Sequence, residues 1–353
     1  MVHNILFYFS ILLILTTLIP SIRHDFWIFR VFEFPRLQKL VLNVALITFV
    51  FFFSFPETST DYIILGLLCL NAAYLIYLIF PFTKFGSKQI VKALHAPNNN
   101  NLKVFIANVY QENRNSDAYL KLVKSCNPDV VLMVETHEWW QEKMDVIGKD
   151  YPYQLKIPIP NTYGMLLYSR LELSDGVVKY LVKQDIPSIE TLVKLPSGQL
   201  VKLFCLHPEP PVPQENPKST ERDKEILLVA EKAKVSEYPV IVMGDLNDVA
   251  WSYTTELFGK ISGLLDPRRG RGFFNSFNAK YFFLRFPLDH IFCSADFSLS
   301  SIKRLPSCNS DHFPMCVDLQ FNPKVEKLND VPVATETDLE IAEEKINADT
   351  TGS

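Results

Sequence analysis

Residues Val240-Ile241-Val242-Met243-Gly244-Asp245-Leu246-Asn247-Asp248 set four apolar side chains directly against a glycine, two aspartates and an asparagine. A short apolar run cut off by Gly-Asp reads as a buried strand that delivers polar groups at its carboxyl end. In α/β architectures, binding sites collect at that end of the strands. The arrangement recurs along the chain. Leu102–Val109 reads as a strand closed by Asn108, and Asp129–Val134 as one closed by Glu135. His207 follows Leu203–Leu206, Asp289-His290 opens Ile291–Cys293, and Ser310-Asp311-His312 precedes Phe313–Leu319.

Helical segments separate these runs. Ser116–Cys126 is amphipathic with Ser116 as its cap, and Ser219–Lys234 is a second helix. Leu192–Leu195 and Leu200–Leu206 flank a Pro196-Ser197-Gly198 turn and predict a hairpin. Strand-helix units mixed with hairpins predict a layered α/β sandwich over residues 98–322, long enough to bury a sizeable core. Taken singly, each polar cluster has an ordinary explanation: Gly-Asp-Leu-Asn-Asp is turn composition, an Asp-His pair arises by chance, and Glu135 is a solvated strand end. Their ordered recurrence through one domain is what points to a site.

The rest of the 353 residues divides by composition. Hydrophobic residues make up 48% and charged residues 21%, which excludes wholesale disorder, and the absence of a repeating period argues against a collagen-like or solenoid chain. Net charge is +3 over residues 1–97, −2 over 98–322 and −5 over 323–353. Three stretches lack charge and approach membrane-crossing length: Val2–Ile19, Leu40–Pro56 and Tyr62–Thr83. The first has no Lys or Arg ahead of it and no small-x-small site before Ile22, so a retained helix is expected rather than a cleaved signal. Residues 1–97 are thus expected to form an anchor of three transmembrane helices (2–19, 40–56 and 62–83). Its basic segments, Arg23 to Lys39 and Lys84 to Lys92, place the large domain in the cytoplasm by the positive-inside rule, with the extracytoplasmic side as the alternative. The first loop, with Trp27 and Phe29 among its charges, suits the membrane interface. Six cysteines without a CxxC pair read as buried thiols, which favours a reducing compartment. Residues 323–353 are acidic, short of aromatics and expected to be disordered.

The order of a strand-end Glu135, a strand-end His207, Gly-Asp-Leu-Asn at 244–247, Asp289-His290 and Ser310-Asp311-His312 resembles the endonuclease/exonuclease/phosphatase superfamily, the DNase I-like fold, over Leu102–Phe321. The resemblance implies a four-layered α/β/β/α sandwich with a metal-dependent phosphoesterase centre at one edge of its sheets. The hydrophobic front end, with Phe34-Pro35-Arg36-Leu37-Gln38, is similar to a bacterial membrane-anchored subgroup, some members of which are associated with lipid-linked pyrophosphate chemistry. Asn113–Asn115 and Asp266–Arg268 match that subgroup more loosely.

Carried over residue by residue, the resemblance gives Asp245 the attacking water to orient or deprotonate, and Asn247 the water or a phosphoryl oxygen to hold. His207 and His312 become donors to the non-bridging oxygens, strongest when protonated, and Asp289 fixes the tautomer of His312. Glu135, Asn108 and Asp311 offer oxygen ligands that suit Mg²⁺, or Mn²⁺ in its place, whereas no Cys/His cluster suggests zinc. The chain departs from the pattern at Tyr110-Gln111-Glu112, where many relatives carry a second acidic or amide ligand. Tyr163 falls at a substrate-side position, with a strand-edge tyrosine as the plainer alternative. Arg268, Arg269 and Arg271 lead into Phe273, Phe274, Phe277, Tyr281, Phe282, Phe283 and Phe286. This is a basic, aromatic rim for anionic headgroups, or a run in which half the rings are core.

A membrane-anchored, metal-dependent hydrolase of a phosphomonoester, phosphodiester or lipid-linked pyrophosphate is therefore expected, with the bilayer and a phosphorylated substrate as its partners. A membrane-tethered nuclease acting on DNA or RNA is the alternative, opposed by the −2 charge of residues 98–322 because phosphate contacts supply most non-specific affinity. A non-enzymatic binding module comes third, since the acid, amide and imidazole positions are all filled. The sequence carries nothing on oligomeric state.

Overall fold

Val130-Val131-Leu132-Met133-Val134 has no polar side chain, and all five residues are buried, as a strand covered on both faces must be. In a computed structural model, which describes residues 2–53, 58–94 and 98–350, this strand lies inside one of two sheets. Eleven strands are described: β1 (Asn101–Asn108), β2 (Val130–Val134), β3 (Tyr153–Ile157), β4 (Met165–Ser169), β5 (Leu173–Lys179), β6 (Ser188–Lys194), β7 (Leu200–Leu206), β8 (Val240–Asp245), β9 (Asp289–Cys293), β10 (Phe297–Arg304) and β11 (Met315–Phe321). One sheet runs β10-β11-β1-β2-β4-β3 and the other β5-β6-β7-β8-β9. The hairpin expected around Pro196-Ser197-Gly198 is β6–β7.

Helices in chain order are α1 (Val2–Leu18), α2 (Trp27–Arg30), α3 (Arg36–Phe53), α4 (Ser59–Ile79), α5 (Ser116–Cys126), α6 (Glu138–Met144), α7 (Thr220–Lys234), α8 (Tyr253–Ser262) and α9 (Glu336–Asn347). Ser116 is the first residue of α5 rather than its cap, a place taken by Asn115. The period-two alternation of the strands builds the layers. In β1, Val104 and Ile106 face the core between the sheets, while Phe105 and Ala107 face Tyr119 of α5 and Trp140 of α6. In β8, Ile241 and Met243 enter the same central core, whereas Val240 and Val242 meet Ile226 of α7 and Phe258 of α8. The result is the α/β/β/α sandwich.

Two parallel pairs set the polarity of the site. β1 pairs with β2 across α5, and β7 with β8 across α7, so in each sheet two neighbouring strands end on the same side. β9 runs antiparallel to β8 with Asp289 opposite Asp245, and β11 runs antiparallel to β1, so the residues that enter these strands reach the same edge.

Asn4–Ile22 (mean hydropathy 2.3) and Ser59–Phe82 (2.4) are long and apolar enough to cross a membrane. Trp27–Glu33 and Arg36–Phe52 together would make a third span, but a 67° bend interrupts them. The chain therefore carries two or three candidate spans where three were expected. The expected end of the second helix at Pro56 lies outside the described residues.

Several expectations are corrected. The first loop docks on the sandwich, a contact the sequence did not foresee. Trp27 N–H donates to Pro217 O (2.7 Å), and Ser219 N–H donates to Asp25 O (2.8 Å). Arg30, buried, meets Asp223 at 2.5 Å and also donates to Ser219 and Thr254. A guanidinium taken out of water requires such partners. The expected boundary at residue 97, itself outside the described residues, comes later than the point where the chain joins the sandwich. Phe82 already packs on Trp251, Ile90 enters the inter-sheet core, and Val91 and Ala93 pair with Leu299 on the edge of β10.

The acidic tail is ordered. Ala342 and Ile346, one helical turn apart, pack with the α7–α8 layer, and Lys345 bonds Asp25 (2.8 Å) and Asp223 (2.9 Å). Acidic composition hid a short apolar stripe at helical spacing. The cysteines are not all thiols: Cys126 is bonded to Cys316, and Cys69, Cys205, Cys293 and Cys308 are free. The bonded pair removes the support that six free thiols lend to a reducing compartment.

Asp223 thus gathers Arg30 from the anchor, Arg222 from its own helix and Lys345 from the tail. Removing one member strands a buried charge. Arg30→Ala should lower stability by about 3–5 kcal/mol, and Arg30→Ala with Asp223→Ala should cost clearly less than the sum of the two single changes, as measured by denaturant unfolding of the purified chain. Additive losses would show that the pair is not coupled.

Candidate active site

The polar strand ends meet at one edge of the two sheets. Asn108 closes β1, and its Nδ2 donates to Glu135 Oε1 at 2.6 Å and to Asp245 Oδ2 at 3.0 Å. Asp245 ends β8 beside a contact only glycine permits. Gly244 has φ +149°, and a Cβ there would lie 1.8 Å from Leu206 O, so any side chain would push β7 and β8 apart. Glu135 and Asn247 both adopt left-handed backbone conformations (φ 59° and 50°), sharp departures from the strand direction at the site. Asn247 N–H donates to Asp245 Oδ1 (2.9 Å), and its side-chain amide donates to Pro208 O (2.9 Å).

His312 is held between carboxylates. Its Nδ1 lies 2.8 Å from Asp289 Oδ2 and its Nε2 3.5 Å from Asp245 Oδ2. Ser310 fixes the approach: its Oγ donates to Asn108 O and accepts from His312 N–H, both at 2.9 Å. Burial alone would lower the His312 pKa, but the Asp289 and Asp245 carboxylates outweigh it and push the imidazole up to about 10. His312 is therefore an imidazolium at neutral pH.

His207 differs. Burial pushes it down to about 4 against the pull of Asp245, and its Nδ1 has no hydrogen-bond partner. Of the two expected donors, one is thus charged and the other neutral. The Tyr163 ring lies 5.3 Å from the His207 ring, and its hydroxyl donates to Glu215. Tyr163 is therefore beside His207.

Among the expected oxygen ligands, Glu135 and Asp311 present carboxylates, whereas Asn108 turns its amide nitrogen to the acids and gives Oδ1 to Tyr110 N–H. Burial first, then the Asp311 and Asp245 charges, push Glu135 up to about 7 even though Asn108 and His312 pull it down. Asp245, Asp289 and His312 also place ligand atoms within 4.8 Å of one another. Both His312 nitrogens there already face carboxylates, so the trio reads better as a clamped imidazolium than as a metal cage. Four carboxylates around one imidazolium leave excess negative charge on a mostly oxygen donor set. That chemistry fits a hard divalent cation at Glu135 and Asp311.

Arg268 and Arg271 do not form a rim. Arg268 is 2% exposed, forks onto Asp266 (2.8 Å) and touches His290 Nδ1 (2.6 Å). Arg271 is half-buried and donates to the Ile90 carbonyl. The aromatic run divides: Phe273, Phe277 and Phe286 pack around Trp251, while Tyr281, Phe282, Phe283 and Leu284 are exposed. Sequence reasoning missed two supports of the site, Ser276 and Arg222, and gave a third, Phe277, to the aromatic rim. Ser276 Oγ accepts from Asp289 N–H (3.0 Å), Arg222 donates to Asn247 O (2.8 Å) and contacts Asp248 (3.2 Å), and the Phe277 ring lies 5.0 Å from the His312 ring. None has a local sequence signal, because each acts through a partner distant in the chain.

A model of the endonuclease/exonuclease/phosphatase family matches residues 101–312, which takes in the whole site. The chain belongs to that family. Its members are hydrolases acting on phosphate esters. Solved structures with the same fold include a humanized D. rerio TDP2 carrying 14 mutations, 17% identical with a TM-score of 0.52, covering 63% of this chain and 99% of that one. A family protein from Bacteroides thetaiotaomicron is 20% identical with a TM-score of 0.50, over 65% and 100% of the two chains. One from Beutenbergia cavernae is 16% identical with a TM-score of 0.51, over 63% and 72%. No curated protein matches.

If the clamp sets the charge on His312, Asp289→Asn should lower its titration midpoint by roughly 1–3 pH units, the effect of losing an adjacent opposite charge. Histidine-labelled NMR reads the midpoint directly. An unmoved midpoint would assign the charge to some other group.

Proposed function

We propose that this chain is a membrane-anchored phosphoesterase that depends on a divalent cation and acts on a phosphate or pyrophosphate group carried at a lipid surface. The observation that carries the chemistry is the His312 imidazolium clamped between Asp289 and Asp245, with Glu135 alongside. Burial raises the Asp245 pKa, which makes its carboxylate a readier acceptor for the proton of an attacking water. Asn247, locked to Asp245 and Pro208, holds that water in line. His312 donates Nε2–H to a phosphoryl oxygen as negative charge accumulates, and Asp289 keeps the ring oriented through Nδ1. His207, neutral, adds a hydrogen bond without a charge to neutralise. Mg²⁺, or Mn²⁺ in its place, held by Glu135 and Asp311, would supply Lewis-acid stabilisation of the phosphoryl and leaving oxygens.

A surface loop supports the lipid substrate. Tyr281-Phe282-Phe283-Leu284 is exposed, and its base is tied to the catalytic wall by Ala279 N–H to Asp311 O (2.6 Å). Its tip is tied to the start of α3, where Gln38 Nε2 donates to Phe283 O (3.0 Å). Aromatic side chains beside the foot of an apolar helix suit a membrane interface.

The purified full chain with Mg²⁺ should hydrolyse a soluble phosphodiester or phosphomonoester, and Asp245→Asn or His312→Ala should cut turnover by at least roughly 10²-fold with the fold intact by circular dichroism. Unchanged turnover in both variants would remove the mechanism. On vesicles carrying polyprenyl pyrophosphate, Phe282→Ser with Phe283→Ser should impair cleavage while sparing the soluble ester. Rapid nicking of plasmid DNA with inert lipids would instead identify a tethered nuclease.

A further inference from the structure

A cavity of about 350 Å³ lies where the apolar helices meet the sandwich, and no catalytic residue lines it. Its wall is amphipathic. Tyr74, Leu75 and Leu78 of α4 form an apolar side that continues into the candidate membrane span, and Arg23, Arg36 and Lys39 form a cationic side.

Arg36 is the unusual member. The residue is 9% exposed, and among the described residues no acceptor lies within hydrogen-bonding or ion-pair distance of its guanidinium, although the Glu33 and Glu256 carboxylates of the same wall act on it from farther off. A guanidinium that lines the cavity with no partner at contact distance is available to an anion that enters it. The neighbouring cations are also uncommitted to acids. Arg23 sits 4.2 Å above the Tyr253 ring, and Lys39 Nζ uses two of its three donors on the Thr16 and Phe32 carbonyls (2.6 and 2.7 Å). The two acids on the wall each also face another cation, Glu33 with Arg30 and Glu256 with Arg269, both at 3.7 Å, so three cations and two acids leave the wall with a positive excess.

We propose that this cavity binds the phosphate headgroup of an anionic phospholipid, with Arg36 as the principal anion ligand and the acyl chains running along α4. An apolar wall that leads into the membrane segment selects a lipid over a free anion. The site is separate from the catalytic centre and does not depend on the phosphoesterase reading. It would fasten the docked anchor to membranes rich in acidic lipid.

The test uses the full chain, purified in a neutral detergent and examined by native mass spectrometry with phosphatidylglycerol, phosphatidylcholine or inorganic phosphate. Phosphatidylglycerol should be retained in preference to phosphatidylcholine, and Arg36→Gln should weaken its binding roughly tenfold or more, the worth of a hydrogen bond to a charged group. Arg36→Lys should recover part of the loss. Leu78→Trp, which fills the cavity and leaves the charges in place, should also expel the lipid, so the proposal stays testable if Arg36→Gln does not fold. Equal retention of the two lipids, or wild-type binding by both Arg36→Gln and Leu78→Trp, would overturn it. So would displacement of phosphatidylglycerol by millimolar phosphate, which would mark a simple anion site.

Discussion

The sheet-to-sheet bridge at the catalytic edge is the constraint on which the other features turn. Asn108 belongs to the β1 sheet and Asp245 to the β8 sheet, and one hydrogen bond joins them. His312, on the approach to β11, reaches across to Asp289 at the start of β9. An apolar core fills the space between the sheets, so the two faces can be brought together to hydrogen-bonding distance only at their ends. Polar groups placed there are shielded from water, which strengthens each interaction and makes an unpaired charge expensive. The charged His312, the neutral His207 and the reluctant Glu135 are three consequences of that single environment.

The anchor and the tail extend the same logic to the opposite side of the β7–β8 layer. Asp223 is fully buried and is held in its charged form, well below the usual carboxylate range, by Lys345, Arg30 and Arg222, which overcome the cost of burial. Arg222 in turn bonds the Asn247 carbonyl, so the docked anchor loop is two side chains away from the active-site turn. The amino-terminal segment that carries the candidate spans is part of the folded body rather than a leash.

Much of the site was legible because strand ends in an α/β sandwich are marked by abrupt loss of apolar character. Asn108, Glu135, His207, Asp245, Asn247, Asp289 and His312 were all found that way, and the structure brings them together. Arg268 was misread because a run of arginines beside aromatics resembles a rim, whereas its partners, Asp266 and His290, are recognisable only once β9 is in place. Tail helix α9 was missed because its net charge dominates the composition while Ala342 and Ile346 supply too short a stripe to stand out. The difference in charge between His207 and His312 was not legible because burial, which sequence does not display, decides it. The docking of Arg30 rests on residues nearly two hundred positions away.

The most direct test of the account is the binding of Mn²⁺ to the purified chain, followed by electron paramagnetic resonance. The account predicts binding that Glu135→Gln weakens severely and His312→Ala leaves largely in place, because the imidazolium faces carboxylates and is no ligand. Binding unaffected by Glu135→Gln, or abolished by His312→Ala alone, would contradict it.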